Sequence, residues 1–291
     1  MVKRSLKSTF TTDTGSHFTI KNGVLIEYWS SSPDKHIVIP YGIKYIGPNA
    51  FAKSPAMESI TLPTSLIAIN ESAFRSRKNL KSVKLPDSLK YIDDNAFADC
   101  SLLEEINMPK NLEKIGQEAF LECFNLTSIE LPEKLKYIGA YAFNGCFDLS
   151  KIKIPAGLKE INEGTFYRCM NLQSIVIPQK VKHIYPYAFT ECTNLKSVHI
   201  KNNRTQVYIN AFGGCPCEVE ILCEYQTPKM LEYYLKAHIN NIDTISKAMP
   251  YIDKDRIDAL INATTEKTPS EIKVLLAKRR QELNTKTRLQ L

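Results

Sequence analysis

Eight cysteines and five histidines are the side chains best able to do chemistry in this chain, and their spacing decides which chemistry is open. Cys100, Cys123, Cys146, Cys169, Cys192 and Cys215 recur at a fixed step of 23 residues. Regular cysteines could mean disulfides or metal, but Ser54 and Arg77 stand in the same column, which makes it a slot in a repeated unit. Free Cys is a small buried hydrophobe that suits such a slot. A stack of free thiols also favours a reducing compartment. Cys215, Cys217 and Cys223 cluster at the end of the column, where a disulfide, a zinc site in need of a fourth ligand, and plain reduced residues are all open. His17, His36, His183, His199 and His238 have no partner at metal-binding spacing. Neither H-E-x-x-H, G-x-S-x-G, G-x-G-x-x-G nor a phosphate-cradling glycine loop occurs. The expectation is no catalytic residue, no metal and no cofactor.

The step of 23 runs through the elements that would position these side chains. Prolines fall at 40, 63, 86, 109, 132, 155 and 178, and phenylalanines at 51, 74, 97, 120, 143, 166, 189 and 212. No insertion interrupts eight repeats, and a fixed period of this length marks a solenoid. In the unit from Leu80 to Leu102, Val83 and Leu85 alternate with Ser82 and Lys84, the pattern of a strand with one buried face. Pro86 has no N–H to give a neighbouring strand and ends it. Leu89, Ile92, Ala96 and Phe97 read as turns and a short helical piece that returns over the far side. One unit cannot bury its apolar face alone, but a stack of copies can. Rungs about 4.8 Å apart give a parallel sheet on the order of 40 Å long, with the Phe column as a spine.

The consensus Leu-x-x-Ile-x-Ile-Pro-x-x-Leu-x-x-Ile-Gly-x-x-Ala-Phe-x-x-Cys resembles the BspA-like bacterial leucine-rich repeats. Ile129-Glu130-Leu131-Pro132, Ile138-Gly139 and Ala142-Phe143-Asn144-Gly145-Cys146 carry the likeness best. The resemblance implies a right-handed repeat solenoid with a parallel β-sheet on its concave face. It also implies a binding surface, since family members are often displayed on cell surfaces and contact macromolecules.

Three regions follow. Residues 1–36 form an N-terminal segment in which Asn22-Gly23, between alternating runs, predicts a β-hairpin that shields the first edge strand. Residues 37–222 form the solenoid. Residues 223–291 form an all-α cap or module of about four short helices between 228 and 285. Thr227-Pro228 and Thr268-Pro269-Ser270-Glu271 mark two of the helix starts. The start of the chain has basic residues but no apolar core after them, so nothing there marks secretion. The chain as it stands therefore reads as cytoplasmic, and as a surface protein if a leader has been removed. No run of apolar residues is long enough to span a membrane.

The outward strand column supplies the candidate site: Lys84, Asn107, Glu130, Lys153, Val176 and His199. It is mixed in character, with no stripe of one charge, and fits a protein or glycan better than a polyanion. Thirty-eight basic against thirty-one acidic residues, a net charge of +7, does not mark a nucleic-acid binder. Phe124, Phe147 and Met170 each follow a column Cys and form a possible apolar contact patch, with Tyr141, Tyr167, Tyr185 and Tyr187 on the same turns. The alternative is that they fold over the Phe spine. Lys278, Arg279, Arg280, Lys286 and Arg288 make a basic tail that suits a helix C-terminus. The functional expectation is a non-enzymatic scaffold that binds a macromolecular partner, most simply another protein. The alternative is a cell-surface adhesin whose leader and anchor lie outside this sequence.

Overall fold

The computed structural model describes residues 7–12, 15–31, 34–202, 204–208, 210–216, 220–223, 254–264, 266 and 268–288. Two series of parallel strands wind along the repeats, the first paired in sheets of four, two and three strands, and the second in an eight-stranded sheet that includes the N-terminal strands and a three-stranded sheet. The first is built from the strands before each proline, such as Ser82–Lys84, Ser128–Glu130 and Ser174–Ile177. Its register is one whole repeat: Ser59 faces Ser82, Ile60 faces Val83 and Thr61 faces Lys84. Val83, Ile129 and Ile175 point inward and are buried, while their neighbours are exposed, so one face of each strand is covered.

The return segment differs from the sequence-based expectation. It contains no helical piece. Instead, two-residue strands such as Tyr91–Ile92, Lys114–Ile115 and Tyr137–Ile138 form a second parallel ladder, again paired one repeat apart. The stretch that carries Ala-Phe-x-x-Cys is a run of turns. Two columns of residues there adopt left-handed backbone, for example Asn95 (φ 57°) with Asp99 (φ 60°) and Glu118 (φ 53°) with Glu122 (φ 57°). A left-handed residue every fourth position breaks any helix. Its cost is offset by hydrogen bonding. The N–H groups of Asn95, Phe97 and Asp99 donate to Gln117, Ala119 and Leu121 of the next coil at 2.7–2.8 Å. Those of Ala96, Ala98 and Cys100 close turns within their own coil, accepted by Asp93, Asn95 and Phe97. Backbone donors that a helix would satisfy locally are thus shared between turn and neighbour.

The phenylalanines form the spine. Phe51, Phe74, Phe97, Phe120, Phe143, Phe166 and Phe189 are fully buried. Their rings stack with centroids 4.7–5.6 Å apart and planes within 17°, and Phe212 continues the stack at 5.2 Å. That spacing is favourable for aromatic pairs and matches the rung spacing of a parallel sheet.

The ends extend further than the sequence suggested. The Asn22-Gly23 hairpin is present as β2 (Ser16–Lys21) and β3 (Val24–Ser30), and β1 (Lys7–Thr11) adds a third antiparallel strand. β3 then pairs in parallel with Tyr45–Ile46 and becomes the first rung of the return ladder. Tyr28 lies 23 residues before Phe51, and its buried ring caps the spine at 5.7 Å. At the other end, Glu220–Cys223 pairs with Ser197–Ile200 and adds a ninth rung beyond the eighth strand, where Lys201 replaces the proline.

Two helices are described after the repeats, α1 (Lys254–Asn262) and α2 (Ser270–Arg288). Ile257 and Leu260 pack with Ile272 and Leu276 in a small core of their own. α2 is longer than expected. The helices expected between 228 and 253 lie outside the described residues.

Phe143→Ala, in the middle of the spine, is expected to lower stability by about 3–5 kcal/mol in urea denaturation. Pro132→Ala, which only ends a strand, is expected to cost far less, and equal losses would show that the rings do not carry the core.

Candidate functional site

The ladder register places the six outward residues along one face. Lys84, Asn107, Glu130, Lys153 and Val176 are exposed, and His199 is half-buried. Glu130 faces Lys153 and Val176 faces His199 across adjacent rungs. The side chains do not act alike. Lys153 turns off the face to pair with Glu133 at 2.9 Å. Asn107 is tied to the backbone: the Leu85 N–H donates to its Oδ1 at 2.8 Å, and its Nδ2 donates to the Leu85 carbonyl at 2.9 Å. Its strand stops at Ile106 as a result, one residue short of its neighbours. His199 Nε2 is shielded and has no hydrogen-bond partner among the described residues. Lys84, Glu130 and the half-exposed Val176 are therefore the groups of this column left free to meet a partner.

The Phe124, Phe147 and Met170 column is half-buried. Phe124 and Phe147 stack at 4.8 Å and 13°, and the Asp148 and Asn171 N–H groups donate to their carbonyls. These rings form a second, shorter aromatic stack beside the spine, partly covered and partly open. The tyrosines on these turns have partners of their own. Tyr141 donates to Glu163 at 2.7 Å, and burial together with that carboxylate pushes its hydroxyl up to about 12. Tyr167 donates to Glu191, and Tyr185 stacks on Tyr208 at 5.1 Å. Tyr91 and Tyr137 are exposed on the return ladder, a surface that could not be read from the sequence while that strand went unrecognised.

The cysteine column has a role beyond filling space. Each thiol from Cys100 to Cys215 donates to the carbonyl of the Phe in the preceding coil at 3.1–3.3 Å. In the second coil Arg77 plays the same part, with its guanidinium donating to the Phe51 carbonyl at 2.7 Å and to Ala52 at 3.1 Å. In the first coil the buried Ser54 hydroxyl finds no partner among the described residues. Burial pushes the Cys100 and Cys215 thiols up to about 12 and the four between them higher than their ordinary value, so none is an activated nucleophile. Cys215 is a free thiol in this column, whereas the Cys223 backbone lies in the strand ladder opposite Ile200. Cys217 lies outside the described residues. No cluster of three metal-ligating side chains occurs among the described residues.

A cleft lies at the N-terminal end, lined by Tyr28, Ser30, Asp34, Lys53 and Ser54 among others. Ser16 donates to Asp34 at 2.6 Å, and Tyr28 donates to the same oxygen. Burial raises the Asp34 carboxyl, but these hydrogen bonds outweigh it and hold the group below its usual range. The triad ties the hairpin to the first coil.

Stacked parallel coils with a leucine and phenylalanine core define a leucine-rich repeat solenoid. The profile of the BspA type leucine rich repeat region matches residues 27–133 and 113–236 in six copies, and the chain belongs to that family. Its fold is similar to that of a T. pallidum leucine-rich repeat protein, TpLRR, with 26% identity, 67% of this chain and 89% of that chain covered, and a TM-score of 0.55. A leucine-rich repeat protein from Bacteroides ovatus is 21% identical, with 79% and 80% covered and a TM-score of 0.53. No curated protein gives a match. No described helix is long and apolar enough to cross a membrane.

The raised thiols make two outcomes testable. Iodoacetamide at pH 8 is expected to leave Cys100, Cys123, Cys146, Cys169 and Cys192 unmodified until the chain is unfolded, as read by peptide mass spectrometry. Folding holds protons on these thiols that the unfolded chain releases above its ordinary value of 9.0. For Cys100 the contribution to stability is therefore full below pH 9.0 and is lost as pH rises towards about 12.

Proposed function

We propose that this protein is a non-enzymatic interaction scaffold that binds another protein through the outward face of its first strand ladder. The observation that carries this reading is the repeat step of 23 residues, kept without insertion over eight coils. Eight coils hold outward side chains at fixed rungs, and the face is mixed, with free charge at Lys84 and Glu130 and an apolar point at Val176. Such a rigid, extended surface fits a folded partner with little ordering cost. The family supports the same role. The half-open Phe124 and Phe147 stack supplies an apolar edge of the kind that protein contacts use.

Crosslinking and pull-down from the source organism, followed by replacement of Lys84, Glu130 and Val176, tests this. The triple variant Lys84→Glu, Glu130→Lys, Val176→Asp is expected to keep its melting temperature within a few degrees and to lose at least about tenfold in partner affinity. Unchanged capture by a folded triple variant would overturn the assignment of this face.

A further inference from the structure

Charge is segregated along the rod. Residues 81–149 hold seven Lys and Arg against twelve Asp and Glu, whereas residues 150–218 hold nine against four. Over most of the rod, neighbouring coils answer one another's charges. Lys35 and Lys81 both pair with Glu58 at 2.8 and 3.3 Å, Lys110 with Asp87 at 2.9 Å, Lys136 with Glu113 at 2.9 Å and Lys153 with Glu133 at 2.9 Å. On the turn that joins the strand ladder to the return ladder, this pairing stops after Lys136. The next three turns read Pro155-Ala156-Gly157-Leu158-Lys159, Pro178-Gln179-Lys180-Val181-Lys182 and Lys201-Asn202-Asn203-Arg204-Thr205, with five cations and no acid.

These five side chains are exposed, and among the described residues none has an ion pair or a side-chain hydrogen bond. Their placement is rigid. The Lys182 N–H donates to the Lys159 carbonyl at 2.7 Å, and the Gln206 N–H donates to the Lys182 carbonyl at 2.8 Å. Lys159 and Lys182 thus occupy equivalent positions one rung, about 4.8 Å, apart, where like charges repel. The nearest acid in sequence, Glu160, belongs to the return ladder. In this turn column opposite charges meet on successive rungs at Lys90, Glu113 and Lys136, whereas Lys159 and Lys182 continue it with like charge, which leaves the ridge open to a counter-charge from outside the coil.

We infer that the lysine-rich turn ridge of the last three coils, Lys159, Lys180, Lys182, Lys201 and Arg204, docks an acidic, extended polypeptide segment of a partner protein. This rests on the scaffold reading above and adds a second contact beside the strand face. The chemistry selects a polypeptide. Four of the five cations are lysines, point charges on flexible stems that follow irregularly placed carboxylates, and only Arg204 offers the planar fork suited to phosphate or sulfate. The three turns contain no aromatic side chain, so they lack the stacking platform on which single-stranded nucleic acids are held.

The test is fluorescence polarisation of a labelled peptide of alternating glutamate and serine against the full-length chain. Binding is expected, with affinity falling at least about tenfold in Lys159→Glu/Lys182→Glu and at least about tenfold with added salt. Lys44→Glu, in the same column of the first coil, is expected to bind like the parent. If the charge reversal impairs folding, Lys159→Gln/Lys182→Gln, with an unchanged circular dichroism melt, should still weaken binding severalfold. Absence of peptide binding, or equal binding by a folded ridge variant, overturns the inference. So does ridge-dependent binding of a heparin fragment or a single-stranded RNA oligomer more tightly than the peptide. Should the strand-face variant lose its partner while the ridge variants do not, the ridge inference falls and the scaffold reading stands; the reverse result isolates the failure to the strand face.

Discussion

The structure depends on one constraint: each coil must offer the next an identical cross-section at the rung spacing of a parallel ladder. Three systems obey it at once. The strand ladder, the return ladder and the stacked turns each pass backbone hydrogen bonds to the equivalent residue one repeat on. The Phe rings keep the same step, with centroids about 5 Å apart. A one-residue slip would break all three and swing each strand's buried face to solvent. This is why the period of 23 tolerates no insertion, and how Arg77 can stand in the Cys column, where its guanidinium restores the hydrogen bond to the preceding Phe carbonyl.

The same constraint shapes the exterior. Any outward residue faces its counterpart 23 positions away, so surface chemistry is written in columns. Exposed pairs such as Lys136–Glu113 and Arg168–Glu191 are screened by solvent and each contribute little to stability. Each sets opposite charges on adjacent rungs. Where a column departs from that habit, in the lysine turns of the last coils, the departure points outward to recognition. The core and the exterior are thus set by one register but by different forces, stacking inside and charge outside.

Much of this was legible in the sequence because like side chains recur at one step. The Phe spine, the buried thiol column, the alternating strands and the Asn-Gly hairpin follow from residue type and spacing. The return strand was not legible, since two residues such as Tyr91-Ile92 are too short to show alternation and Leu89 with Ile92 mimics helical spacing. Tyr28 was hidden because the spine changes residue type there, although it keeps the step of 23. Asn107 looked like any outward polar residue, and only the coordinates show its amide spent on Leu85. The ninth rung at Glu220–Cys223 was missed because proline and leucine disappear from the repeat before the backbone register does. The outward placement of the column was therefore legible, but not which of its members are free.

Deleting one whole coil tests the register most directly. Removal of residues 127–149 joins equivalent positions, and the account predicts a shorter protein that still melts in a single cooperative transition with native far-ultraviolet circular dichroism. Removal of residues 127–148, one residue fewer, puts every later column out of step and is predicted to abolish that transition. Equal behaviour of the two deletions, whether both fold or both fail, would contradict the claim that a shared cross-section at a step of 23 holds the molecule together.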